Sequence, residues 1–251
     1  MSSTERRTAG TDPPRVERGG PRGPVRGRLG GRLSGLAVAL GCVLFLGGFA
    51  WGAWEYRPYT VPTDSMAPAV DRGDRVLARR IDPSEVRRGD VVVFEDAGWA
   101  AVPMVKRVVG VGGDEVSLGA QGLRVNGEAV EEPYLPGDER TSPASFDVAV
   151  PEGRLFLLGD HRSTSLDSRA RLADGDRGTV PLDAVGSRVE AVAWPLDGML
   201  PRPTGFAGLP GGVSEPGPLR AVLAAVAAGA VLILGGAAYG PLAARRRRRH
   251  G

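Results

Sequence analysis

Lys106 is the single lysine of a 251-residue chain that carries 31 arginines. Arginine keeps its proton in any protein environment, whereas lysine can give its proton up. A lone lysine is therefore a candidate for a task that needs a neutral amine. The competing reading is a coding preference for arginine, with Lys106 a leftover surface residue. A base needs a nucleophile to activate. Ser65 lies upstream, in Val61-Pro62-Thr63-Asp64-Ser65-Met66-Ala67-Pro68, a tight segment bracketed by two prolines. A serine hydroxyl with an amine base in reach is a nucleophile pair for acyl transfer. Met66 beside it reads as a packing residue.

Lys106 falls in the run Met104-Val105-Lys106-Arg107-Val108-Val109, which reads as a strand. Side chains alternate faces along a strand, so Met104, Lys106 and Val108 share one face. If that face is the core face, burial disfavours the ammonium and lowers the lysine pKa. A fall from about 10.4 to about 8 corresponds to roughly 3 kcal/mol of destabilised charge. Such an amine works as a general base near neutral pH. A one-residue slip would exchange the faces and expose it.

The elements that must position these residues read as mostly β. Candidate strands are 75–80, 90–95, 104–111, 115–118, 123–125, 129–130, 146–150, 154–158 and 187–194, short and bounded by Gly, Pro and Asp. Asn126-Gly127 predicts a hairpin with a primed turn. Gly112-Gly113-Asp114 predicts a tight turn. Pro83–Val86 and Pro181–Val185 each predict a single helical turn. Tyr56 to Pro62, with two prolines, predicts an extended linker.

Two uncharged apolar segments flank this β-rich stretch. The first, Leu36–Trp54, has 19 residues, within the range of about 17–25 that a spanning helix needs. The second, Ala221–Ala244, is rich in Ala and Gly. Arginines precede the first segment, and the run Arg245–Arg249 closes the second. By the positive-inside rule both termini are cytoplasmic and the stretch between faces outward. Trp51, Trp54, Tyr56 and Tyr59 sit where an outer aromatic belt belongs.

The expected organisation is a disordered basic tail over 1–32 and a membrane helix over 33–55. An outward β-rich domain over 56–199 and a Pro/Gly-rich linker over 200–218 follow. A second membrane helix over 219–244 and a basic cytoplasmic tail over 245–251 complete it. The first segment is too long for the apolar core of a cleaved leader. Cys42 is the only cysteine, so no intramolecular disulfide is possible.

Four blocks in order resemble those of type I signal peptidases, the membrane-bound Ser/Lys proteases of peptidase family S26. Residues 62–68, containing Ser65, resemble the nucleophile block. Arg88-Gly89-Asp90-Val91-Val92-Val93-Phe94 resembles the Gly-Asp strand block. Residues 106–114 resemble the lysine block, and residues 159–169, Gly159 to Arg169, the last block. Together they span 62–169.

The resemblance implies a β-rich signal-peptidase-type domain on the outer face of the plasma membrane. It implies Ser65 as nucleophile and Lys106 as general base. The Ser65 N–H and the Thr63 hydroxyl would form the oxyanion hole, and Ser165 would orient the lysine. Arg107, Asp160, Asp167 and Arg169 match structural ion-pair positions. The implied reaction is cleavage of exported preproteins after small-x-small sites such as Ala-x-Ala. No cofactor is implied. The partners implied are signal peptides and membrane lipid, with no nucleic acid.

Three positions depart from the family pattern: Ala69, Gly112 and His161 stand where threonine, proline and asparagine are usual. His161 opens a rival Ser/His/Asp triad with Asp160 or Asp167. No Cys/His cluster with metal-ligand spacing is present in the sequence. Two other readings stand beside these. One is a self-cleaving Ser/Lys protease of the repressor type. The other is a membrane-tethered binding module without activity, which would tolerate Lys106→Arg.

Overall fold

The structure, a computed structural model, describes residues 26–141 and 145–248. Most of the expected basic tail, residues 1–25, and the terminal residues 249–251 lie outside the described residues. Helix α1 spans Arg26–Glu55 and helix α2 spans Leu219–Arg248. Both are longer than expected. The first takes in 26–32, read from composition as disordered, and the second runs through most of the terminal arginines. Once an apolar helix has nucleated, each added residue gains a hydrogen bond, so helix propagates into flanks of good helix formers such as arginine.

The two helices pack along a stripe of small residues. Ser34, Val38, Gly41, Phe45, Gly48 and Gly52 of α1 recur at alternating spacings of four and three and touch α2. Gly41 and Gly229 meet backbone to backbone, so a side chain at either would enter the other helix. Ser34 Oγ donates to the Gly236 carbonyl at 2.7 Å. Close backbone approach through small residues, sealed by a hydroxyl, is how apolar helices associate where no hydrophobic effect drives them. Residues 31–55 and 219–239 are long and apolar enough to cross a membrane.

Between the helices the chain is built of antiparallel strands: β1 Tyr56–Thr60, β2 Arg75–Arg80, β3 Val91–Asp96, β4 Ala100–Val111, β5 Glu115–Gly119, β6 Gly122–Val125, β7 Glu128–Ala129, β8 Phe146–Ala149, β9 Arg154–Leu158, β10 Val180–Pro181, β11 Val185–Trp194 and β12 Gly198–Met199. Among the described residues they form an eight-stranded sheet, order β1-β2-β11-β3-β4-β9-β10 with β12 beside β11. A four-stranded sheet has the order β7-β6-β5-β8. The strands expected from alternation are present, two with the expected ends and the others with ends moved by at most four residues. At the β6–β7 turn Asn126 and Gly127 have φ 54° and 78°, the left-handed pair a primed hairpin requires.

Two segments differ from expectation. Tyr56–Thr60 is an edge strand paired with β2, not a free linker. Pro58 is tolerated because an edge strand has a free side for the residue that cannot donate. Residues 200–218 are docked: Phe206 is fully buried and Leu209 nearly so, in the core of the smaller sheet with Val116, Leu118 and Phe156. Pro and Gly restrict the backbone without stopping two apolar anchors from burying.

Candidate active site

The Ser65 segment is a closed loop. Val61 N–H donates to Asp74 O at 2.9 Å and Gly73 N–H to Val61 O at 2.8 Å, tying its two ends. Met66 is fully buried and Val70 nearly so, against Val76, Val91 and Val93 of the large sheet. Met66 is therefore packing, as its neighbourhood suggested, and it anchors Ser65 above the sheet.

Lys106 sits on β4, an inner strand bonded to β3 and β9, opposite Val92. Met104 and Val108, two residues either side, pack with Val92 and Leu157 in one apolar cluster. Lys106 is 3% exposed. Its Nζ lies 2.8 Å from Ser65 Oγ and 3.1 Å from the Val105 carbonyl. Burial holds the amine below the usual lysine range, and the nearby carboxylates of Asp167 and Asp160 pull the other way.

Arginine partners limit that opposing pull. Arg107 grips Asp160 through two bonds of 2.7 and 2.6 Å, donates to the Gly89 carbonyl, and lies 4.0 Å over the Tyr134 ring. Arg169 binds Asp167 at 2.9 and 2.8 Å, while Gly159 N–H donates to the same carboxylate at 3.0 Å. The four ion-pair positions thus form the two pairs Arg107–Asp160 and Arg169–Asp167. Each fork matches its carboxylate and neutralises it beside the lysine.

The last strand before the site, β9, delivers Gly159, Asp160 and His161. His161 N–H donates to the Ser65 carbonyl at 3.2 Å. Its ring faces the Asp64 carbonyl at 3.3 Å, with Asp64 and Glu139 carboxylates at 3.9 and 3.8 Å. No ring nitrogen of His161 bonds Ser65 Oγ, and Asp160 and Asp167 are engaged by arginines. The Ser/His/Asp alternative has no geometry here.

Thr63 Oγ1 is 3.3 Å from Ser65 Oγ. The Thr63 hydroxyl donates to Ser65 Oγ in this contact, and the Ser65 N–H has no acceptor among the described residues. Ser165 is near, with its side chain against Gly159, but its buried Oγ has no hydrogen-bond partner. The bond to Lys106 that the resemblance implied is not made, and Nζ is held by Val105 O instead. Sequence reasoning overlooked Gly159 itself: a Cβ there would fall on the Ser165 side chain and the Ser65 carbonyl. It also overlooked Tyr134 and Glu132, which close a buried network over Arg107. Tyr134 donates to Glu132 at 2.7 Å, and Arg162 donates to the same Glu132 oxygen. A lone tyrosine between acidic and proline residues carries no period or spacing that marks it.

A nucleophile, a desolvated amine in contact with it, a free backbone N–H and a neighbouring hydroxyl can carry out acyl transfer through a covalent ester. The family model described as signal peptidase, peptidase S26, matches residues 33–194. A signal peptidase I of Bacillus licheniformis is 36% identical over 127 residues, covering 47% of this chain and 68% of the relative. Signal peptidase I U of Bacillus subtilis (strain 168) is 34% identical over 123 residues, covering 45% and 65%. A probable signal peptidase I of Mycobacterium leprae (strain TN) is 31% identical over 198 residues, covering 55% and 68%. The chain thus spans about two thirds of the length of these relatives. A crystal structure of a signal peptidase I from Enterococcus faecalis V583 is 25% identical, covers 46% of this chain and 97% of its own, and superposes with a TM-score of 0.33.

Proposed function

The chain belongs to the signal peptidase family, peptidase S26, serine endopeptidases that cleave signal peptides, and we propose that Ser65 and Lys106 carry its reaction on the outer face of a membrane. The observation that carries this reading is the 2.8 Å approach of the buried Lys106 Nζ to Ser65 Oγ. Neutral Lys106 takes the hydroxyl proton as Ser65 Oγ attacks the scissile carbonyl carbon. The tetrahedral oxyanion is held by the Ser65 N–H and the Thr63 hydroxyl. The Lys106 ammonium then returns its proton to the departing amine, the new N-terminus of the mature protein. Lys106, neutral again, takes a proton from water, whose oxygen attacks the Ser65 ester. The ester breaks, the signal peptide leaves with a free carboxylate, and Ser65 recovers its proton.

The substrate class is an exported preprotein cut after a small-x-small site. Ser65 lies ten residues beyond α1, so a site emerging from the outer leaflet meets it at short reach. The two apolar helices support a two-span anchor. The flanking arginines support cytoplasmic termini and an outward catalytic domain.

The test is cleavage of a preprotein with an Ala-x-Ala site in lipid by wild type, Ser65→Ala and Lys106→Arg. Cleavage by wild type and none by folded Lys106→Arg supports the dyad. Equal cleavage by Lys106→Arg overturns it. No cleavage by any form returns the chain to the reading of a tethered binding module.

A further inference from the structure

One buried carboxylate joins both apolar helices to the large sheet. Glu190 lies on β11 and is 6% exposed. Tyr56, the first residue after α1, is 5% exposed and donates its hydroxyl to Glu190 Oε2 at 2.8 Å. Burial, and then Glu190 itself, push the Tyr56 phenol well above its ordinary range, so it stays a donor. The other oxygen, Oε1, takes Arg79 Nε of β2 at 3.2 Å and Arg188 Nη2 at 3.3 Å. Arg79 in turn lies 3.6 Å from Glu55, the last residue of α1, and Arg80 donates to the Trp54 carbonyl.

The lead into α2 meets the same group. The Glu190 carboxylate lies against Gly217, where any side chain would collide with it. Arg188 Nη2 also donates to the Glu215 carbonyl at 2.9 Å. Tyr56, Ala191 and Leu219 pack as one small apolar cluster beside it. The end of one helix and the start of the other, far apart in sequence, converge within two residues of β11.

None of this touches Ser65 or Lys106. A buried carboxylate with three donors is a stiff joint, because each bond is charge-assisted and none is lost to water. Its place is the junction of the sheet with both helices.

We infer that Glu190 is a positioning residue. It fixes the height and tilt of the catalytic sheet over the membrane, and so the point along a membrane-anchored substrate that meets Ser65. This rests on the functional reading above. A short soluble peptide brings its own freedom to the site and does not need the joint. A preprotein whose apolar segment sits in the bilayer does need it. Misplacement by about 1 Å can cost on the order of a hundredfold in rate.

The experiment compares wild type, Tyr56→Phe and Glu190→Gln in lipid vesicles on two substrates. One is a soluble Ala-x-Ala peptide and the other a preprotein inserted in the same vesicles. Tyr56→Phe removes only the hydroxyl's bond to Glu190 and keeps the ring, so folding is not at stake. The expected result is peptide cleavage within about twofold of wild type, with preprotein cleavage slower by about tenfold or moved to a neighbouring bond. Equal loss on both substrates means a merely structural role and overturns the inference. So does no loss on either. Wild type that cuts neither substrate overturns the functional reading first.

Discussion

Lys106 Nζ and Ser65 Oγ, 41 residues apart in the chain, stand 2.8 Å from each other beneath the protein surface. The contact holds because Lys106 lies on an inner strand and Met66 pins the serine loop onto the same sheet. Position and burial come from separate elements, so each can be perturbed alone.

Lys106→Arg keeps the charge but removes an amine that can lose its proton. Cleavage should fall by about 10⁴-fold or more, as in other nucleophile–base sites, and Ser65→Ala should fall equally. His161→Asn should stay within about tenfold of wild type, because the imidazole reaches no reacting atom and removing one weak contact costs about 1 kcal/mol. Single-turnover assays on folded variants decide it. A dead His161→Asn would reopen the histidine mechanism.

The pH dependence follows from the direction of the Lys106 shift. Burial is the larger cause and favours the neutral amine, so the folded value lies below the ordinary figure of about 10.4. Cleavage should rise with pH through that lowered value and be lost below it. The folded chain binds fewer protons than the unfolded chain between the two values, so stability also rises with pH across that window. Plots of kcat/KM against pH should place the acid limb below the ordinary lysine value. A limb at the ordinary lysine value would count against a buried base.

Arg169→Met should move that limb. It removes the guanidinium bound to Asp167, leaving a carboxylate near Lys106 without its main counter-charge. An unneutralised negative charge favours the ammonium and raises the lysine pKa. The acid limb should therefore shift to higher pH, with the plateau rate less affected. An unmoved limb in a folded variant would show that Asp167 is not felt at Nζ.

Thr63→Val tests the second oxyanion donor. Loss of one such donor costs about 3–4 kcal/mol in barrier height, or roughly 10²–10³ in kcat, with KM little changed. Thr63→Ser should restore most of the rate. If KM rises while kcat holds, Thr63 contacts the ground state instead.

Gly159→Ala tests how closely the last block packs on the nucleophile loop. The new methyl would fall on Ser165 and the Ser65 carbonyl. Overpacking of this kind costs about 1–3 kcal/mol, visible as a lower unfolding midpoint and weaker activity together. Gly73→Ala, in a left-handed turn where the ends of the same loop are tied, has clear space and tests backbone strain alone.

The candidate dyad, the family blocks and the local frame could be read before the fold was known. The lone lysine among arginines, Ser65 between two prolines and the blocks ending in Gly159–Arg169 were all legible. So were the strands and the Asn126-Gly127 hairpin, because strand alternation and turn backbone angles are properties of a few neighbouring residues. The pairs Arg107–Asp160 and Arg169–Asp167 were legible only as a set of four positions. Tertiary structure decided the rest. It sorted those four into partners, turned the ring of His161 away from Ser65 Oγ, and left the Ser165 hydroxyl unbonded. It also made Tyr56–Thr60 an edge strand and folded the Pro/Gly segment onto the smaller sheet through Phe206 and Leu209. It set Glu190 at the meeting point of both helices. These contacts join residues tens to more than a hundred positions apart. Which of them form depends on how several loops close at once, and no local period records that.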